Sequence, residues 1–181
     1  MVLAAVCALV LAASGFGLWF WRYAATYAPL TPAGYWGPYA TAGKHLVDRT
    51  TDLGDELYID GPAGTQAEFI TGLVDTGSHD VKITSFDRNP LIARIRWTPY
   101  ITKPGGDITG ERLQPRNLPA EISGHNQIRL IITFRKPPCQ DGLYLNTDRI
   151  VFRWHALGVD HQYDMQLGDT ATFVGCPTLS R

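Results

Sequence analysis

Candidate chemistry sits in two turns and one cysteine pair. His155, Asp160, His161 and Asp164 fall close together around one hairpin, and imidazole nitrogens with carboxylate oxygens are donors that a divalent metal accepts. Strand alternation sets His155 on the face opposite Phe152 and Trp154, so the plainer reading is exposed hairpin residues. Asp75, His79 and Asp80 gather at a second turn, where carboxylates commonly cap backbone N–H groups. Ser78-His79-Asp80 has the residue types of a hydrolytic triad, but neighbours along a strand point to opposite faces and cannot form the relay. Gly105-Gly106 lacks the Lys-Ser/Thr and the preceding strand of a phosphate loop. A copper site built on Cys139 and His155 would need a further histidine from a neighbouring loop. No catalytic residue and no cofactor is expected.

Cys139 and Cys176 lie in the turn-like contexts Pro137-Pro138-Cys139 and Gly175-Cys176-Pro177. Two cysteines outside the apolar N-terminal segment permit one disulfide, the alternative being two free thiols. A bridge would place the domain in an oxidising compartment outside the cytoplasm. No CxxC pair accompanies them, which argues against zinc.

These residues need elements to position them, and the chain divides sharply. Residues 1–21 (MVLAAVCALVLAASGFGLWFW) contain no charge and no proline; all 16 Lys and Arg and all 17 Asp and Glu follow Trp21. As a helix the segment would be about 30 Å long, the thickness of a hydrocarbon core. Trp19, Phe20, Trp21, Arg22 and Tyr23 close it with the amphipathic side chains of a headgroup layer. The expectation is a transmembrane anchor, with a lipid bilayer as its partner. The alternative is a cleaved signal peptide, which lacks here a basic start and a good cleavage site. Arg22 alone would favour a cytoplasmic C-terminal side; the cysteine pair favours the opposite. The formal charge of -1 removes the basic surplus that a nucleic-acid binder needs.

Residues 22–54, with Pro29, Pro32, Pro38, Gly34, Gly37, Gly43 and Gly54 among aromatics, are expected to form a juxtamembrane connector. From residue 55 the pattern is β. Short strands are expected over 56–60, 66–74, 79–86, 91–98, 126–135, 148–157, 161–167 and 171–174, with turns at Asp75-Thr76-Gly77-Ser78 and Gly158-Val159-Asp160. Gly77 is expected where positive φ is tolerated. The clearest strand sets Ile128, Leu130, Ile132 and Phe134 opposite Arg129, Ile131, Thr133 and Arg135. Such a pattern suits a mainly β fold, an antiparallel sandwich over 55–181. The Pro- and Gly-rich stretch 99–124 is long for a connection. Arg94, Arg96, Arg129, Arg135 and Arg153 recur on outward positions, either as a solvated face or as a basic stripe toward anionic lipid or cell-wall polymer.

The phrases VDTGSHDVKITSF and LPAEISGHNQIRLIITF resemble the strand–turn–strand phrases of immunoglobulin-like sandwich modules in bacterial surface and secreted proteins. The order of anchor, connector, module and late cysteine is similar to single-pass membrane proteins of high-GC Gram-positive bacteria. The resemblance implies a fold and a place at the cell membrane, and implies no catalytic residue. The functional expectation is an anchored extracytoplasmic binding or accessory module. One alternative is a small anchored hydrolase or metal-binding domain using His155 and His161. Another is a non-catalytic subunit whose helix packs on a membrane or cell-envelope partner through Ala12, Ala13, Ser14, Gly15 and Gly17.

Overall fold

The computed structural model describes residues 2–39, 45–51, 54–100, 114–139, 145–167 and 171–176. Val2–Thr26 form one helix, α1. It outlasts the apolar run by five residues because Arg22, Ala24 and Ala25 are good helix formers and the first proline is Pro29. Val10, Leu11, Phe16, Leu18, Trp19 and Trp21 are 58–73% exposed, so no protein surface covers the apolar face they make. Among the described residues no helix is long and apolar enough to cross a membrane.

The rest is mainly antiparallel β. The strands are β1 (Leu30–Pro38), β2 (Leu46–Thr51), β3 (Gly54–Ile59), β4 (Gln66–Asp75), β5 (Val81–Phe86), β6 (Ile92–Pro99), β7 (Arg116–Asn117), β8 (Ala120–Ile122), β9 (Gln127–Arg135), β10 (Leu145–Thr147), β11 (Arg149–Ala156), β12 (Val159–Gln166) and β13 (Ala171–Cys176). A five-stranded sheet runs β1-β4-β9-β6-β7, and two four-stranded sheets run β12-β11-β5-β8 and β10-β13-β3-β2. Only β3 and β13 pair in parallel among the described strands.

Period-two patterning decides which side chains enter the core. β4 turns Phe69 and Leu73 inward, and β9 turns Ile128, Leu130, Ile132 and Phe134 inward. They meet Ile83, Phe152 and Trp154 from the β12-β11-β5-β8 sheet within the same buried cluster. At the other end, Phe173 of β13 stacks on Phe134 with ring centroids 4.1 Å apart and meets Phe69 edge-on at 4.8 Å. The result is a sandwich in which one sheet faces two smaller ones.

Several sequence expectations change here. The stretch expected as a connector contributes two strands: β1 pairs with β4 from Leu30↔Asp75 to Pro38↔Phe69, and β2 pairs with β3. Pro32 and Pro38 are tolerated because β1 is an edge strand, where one row of N–H groups has no ladder to serve. The tight turn of the second hairpin is Leu157-Gly158, with φ of 53° and 79°, the signature of a two-residue primed turn. Val159 and Asp160 already pair with Ala156 and His155. Of the 99–124 stretch, 101–113 lie outside the described residues, while β7 and β8 occupy part of the remainder. Gly105-Gly106 falls in the undescribed part.

The five arginines do not form one stripe. Arg96 binds Glu68 at 2.6 Å and Arg129 lies 5.5 Å from the Tyr100 ring, both on the outer face of the five-stranded sheet. Arg153 belongs to a different sheet and binds Asp87 at 2.7 Å. Alternation within a strand says nothing about which sheet the strand joins, and in β6 it is broken by a register shift between Ile92 and Arg94.

Cys139 and Cys176 are joined in a disulfide, with Cα atoms 5.4 Å apart and a sequence separation of 37. It ties the chain following β9 to the end of β13, at the pole of the sandwich away from α1. By closing a loop of this length it restricts the unfolded chain, a contribution of roughly 2–4 kcal/mol. Replacing both cysteines by serine is expected to lower stability by about that amount in urea unfolding.

Candidate functional site at the junction of helix and sandwich

Where α1 ends, three residues separate it from β1: Tyr27, Ala28 and Pro29. Tyr27 is the joint. Its hydroxyl accepts the N–H of His79 at 3.2 Å, and its ring meets the His79 imidazole at 5.6 Å and the Trp154 indole at 6.3 Å. The turn after β4 folds beneath it. Gly77 shows no positive φ; it is needed because a Cβ there would overlap the Tyr27 hydroxyl and stand 2.8 Å from Cβ of Pro29. Proximity, rather than backbone conformation, requires the glycine.

The seat is closed by backbone bonds. Thr76 donates both its N–H (2.9 Å) and its hydroxyl (2.8 Å) to the carbonyl of Pro29. His125, itself at φ 63°, donates its N–H to Gly77 O at 3.1 Å. Ala24 and Leu30, either side of the joint, are 1% and 4% exposed.

Asp75 lies fully buried beneath this turn. Its Oδ1 accepts the Gly77 N–H at 2.8 Å, while Oδ2 has no hydrogen-bond partner. Burial pushes its carboxyl above the usual range, opposed by the Gly77 hydrogen bond and the nearby His125 and assisted by Asp80. Burial also raises the Tyr27 phenol, with the Asp75 charge adding to the effect. Trp154 stacks on His161 at 4.1 Å and 13°. Nε1 of Trp154 and Nε2 of His161 are likewise buried without a partner. Burial lowers the His161 pKa, helped by His155, so this imidazole is neutral at pH 7.

No family model and no curated protein matches the chain. The site must be read from its own geometry.

The four expected metal candidates are dispersed. His155 and Asp160 pair across the hairpin on its outer face, Nδ1 and Oδ1 being 2.8 Å apart. Asp164, also outward, binds Arg149 at 3.2 Å. His161 points inward with Trp154, its ladder partner. Successive strand residues diverge, so the two histidines face opposite sides of one sheet. Among the described residues no group of three or more His, Cys, Asp or Glu could hold a metal ion. Cys139 is oxidised in its bridge, which removes it as a copper ligand. Of Asp75, His79 and Asp80, the first is buried and the others are exposed; Asp75 does cap a turn N–H as expected.

Tyr27, Trp154 and His125 were missed as partners of this turn. The tyrosine spacing, with Tyr23 and Tyr27 four apart on α1's line, was the available signal.

Two outcomes follow. Gly77→Ala is expected to cost about 1–3 kcal/mol by overpacking, and less in a Tyr27→Ala background, since the clash is with Tyr27; chemical unfolding of the double-mutant cycle measures the coupling. For Asp75, a folded pKa above 3.8 means the native state binds more protons than the unfolded one in the window just above that value. Stability therefore falls as pH rises through it. Asp75→Asn removes this cost, so thermal melts should show Tm raised by about 2–4 °C at pH 7, with the gain vanishing below pH ~3.8.

Proposed function

We propose that this chain is a membrane-anchored binding or accessory module, its immunoglobulin-like sandwich held outside the cytoplasm by residues 1–21. The observation that carries the reading is α1. Its residues 2–21 are charge-free, and its large apolar side chains from Val10 to Trp21 find no cover on the sandwich. A helix of this kind is stable in water only when another apolar phase covers it. The Trp19–Tyr23 belt gives that phase a boundary.

Strand order supports the immunoglobulin-like part. In that fold strands A-B-E-D form one sheet and C-F-G the other. Here β1-β4-β9-β6 and β5-β11-β12 run in the corresponding order, with β2 and β3 as an excursion between the first two strands. The disulfide supports the oxidising side of the membrane, because such bridges do not persist in the cytoplasm. The partners proposed are the lipid bilayer and a further membrane or cell-envelope protein that the module holds near the surface.

Fractionation tests this. The full chain should sediment with membranes and resist alkaline carbonate. Leu11→Glu with Leu18→Glu, each worth roughly 2.5–3.5 kcal/mol against insertion, should move it to the soluble fraction. In intact cells a membrane-impermeant thiol reagent should reach Cys139 and Cys176 only after reductant. Absence of labelling even after reductant, or recovery of the unaltered chain in the soluble fraction, overturns the reading.

A further inference from the structure

We infer that the pole of the sandwich beside α1, formed by the turns at 76–80 and 123–126, rests on the phospholipid headgroups rather than standing off the bilayer. This rests on the anchor reading above and adds to it a contact surface and its ligand, the phosphodiester headgroup layer.

The first argument is the missing linker. A 33-residue connector would have let the domain range far from the membrane, but residues 30–38 and 46–51 are strands. Only 27–29 lie between helix and sheet, and both ends of this stretch are fixed: Tyr27 by His79 and by its N–H to Ala24 O bond at 3.3 Å, and Pro29 by Thr76.

The second is a continuous run of rings along one side of α1. Phe16 meets Trp19 at 5.9 Å and Phe20 at 6.5 Å; Trp19 stacks on Tyr23 at 5.9 Å; Tyr23 meets Tyr27 at 5.8 Å and His79 at 6.2 Å. Trp19 and Tyr23 are one helical turn apart, about 6 Å along the axis. If Trp19–Tyr23 occupy the interface as amphipathic aromatics do, the His79 ring, 6.2 Å from Tyr23, meets the outer part of that layer. The headgroup layer is about 5–7 Å thick on each side of the hydrocarbon.

The third is the chemistry of the surface so placed. The 76–80 turn touches the 123–126 turn, since a Cβ on Gly124 would stand 2.8 Å from Gly77 O. Ser78, His79, Ser123 and His125 are all exposed. They are hydroxyl and imidazole donors, suited to phosphate oxygens. Asp80, the exposed acid of the same turn, faces the cationic part of a zwitterionic headgroup.

The test uses the full chain in vesicles of phosphatidylcholine and phosphatidylglycerol, 3:1, containing a headgroup-nitroxide lipid. With Cys7→Ala and the native disulfide intact, a fluorophore is attached through Ser78→Cys or Ser123→Cys, and through Ala63→Cys at the far pole. Ser78, Ser123 and Ala63 are exposed, so each substitution leaves the core alone, and two near-pole positions guard against one failing to fold. The inference expects quenching of several-fold at 78 and 123 and little at 63. Equal quenching at all three in vesicle-bound protein overturns it while leaving the anchor reading intact. Failure of the chain to enter vesicles overturns both.

Discussion

One contact sets the rest of this molecule in place: the Tyr27 hydroxyl lying over Gly77. A tyrosine just past the end of an apolar helix would otherwise be left uncovered. Here it enters the sandwich, takes the His79 N–H and leaves no room for a side chain on the turn beneath. Thr76 then closes on Pro29, β1 begins at Leu30 opposite Asp75, and the five-stranded sheet is registered from that point. Direction of the helix, start of the first strand and conformation of the β4–β5 turn are thus consequences of a single ring in a single notch.

The polar atoms near that notch are unusually costly for a domain without visible chemistry. Asp75 Oδ2, Trp154 Nε1 and His161 Nε2 are each buried without a hydrogen-bond partner. Each such atom forfeits hydration without return. Residues kept at a cost to stability are those whose position matters, and all three lie at or next to the joint between the helix and the sandwich.

Most of the β pattern was legible. Strands such as 127–135 announce themselves because alternation survives wherever one face is buried. The disulfide was legible as a possibility from two cysteines and their turn contexts. What was hidden depends on pairing. β1 carries prolines and glycines that read as punctuation, and its edge position lets it pair as a strand all the same. Gly77 read as a conformational glycine, yet its reason is a tyrosine fifty residues away. His155 and His161 read as neighbours, but six residues along a two-strand hairpin place them on opposite faces.

The ladder between β1 and β4 has a mechanical consequence. β1 leaves the helix at Leu30 and runs away from it, antiparallel to β4, over seven paired positions. A pull between α1 and anything gripping the bridged far pole acts along that strand. It loads its hydrogen bonds side by side in shear instead of opening them one at a time, as a peel from the end would. The disulfide holds the opposite end of the sandwich closed under the same load. Strain carried through the helix would therefore reach the core as a shared force on one edge strand, and resistance would fail as a single event.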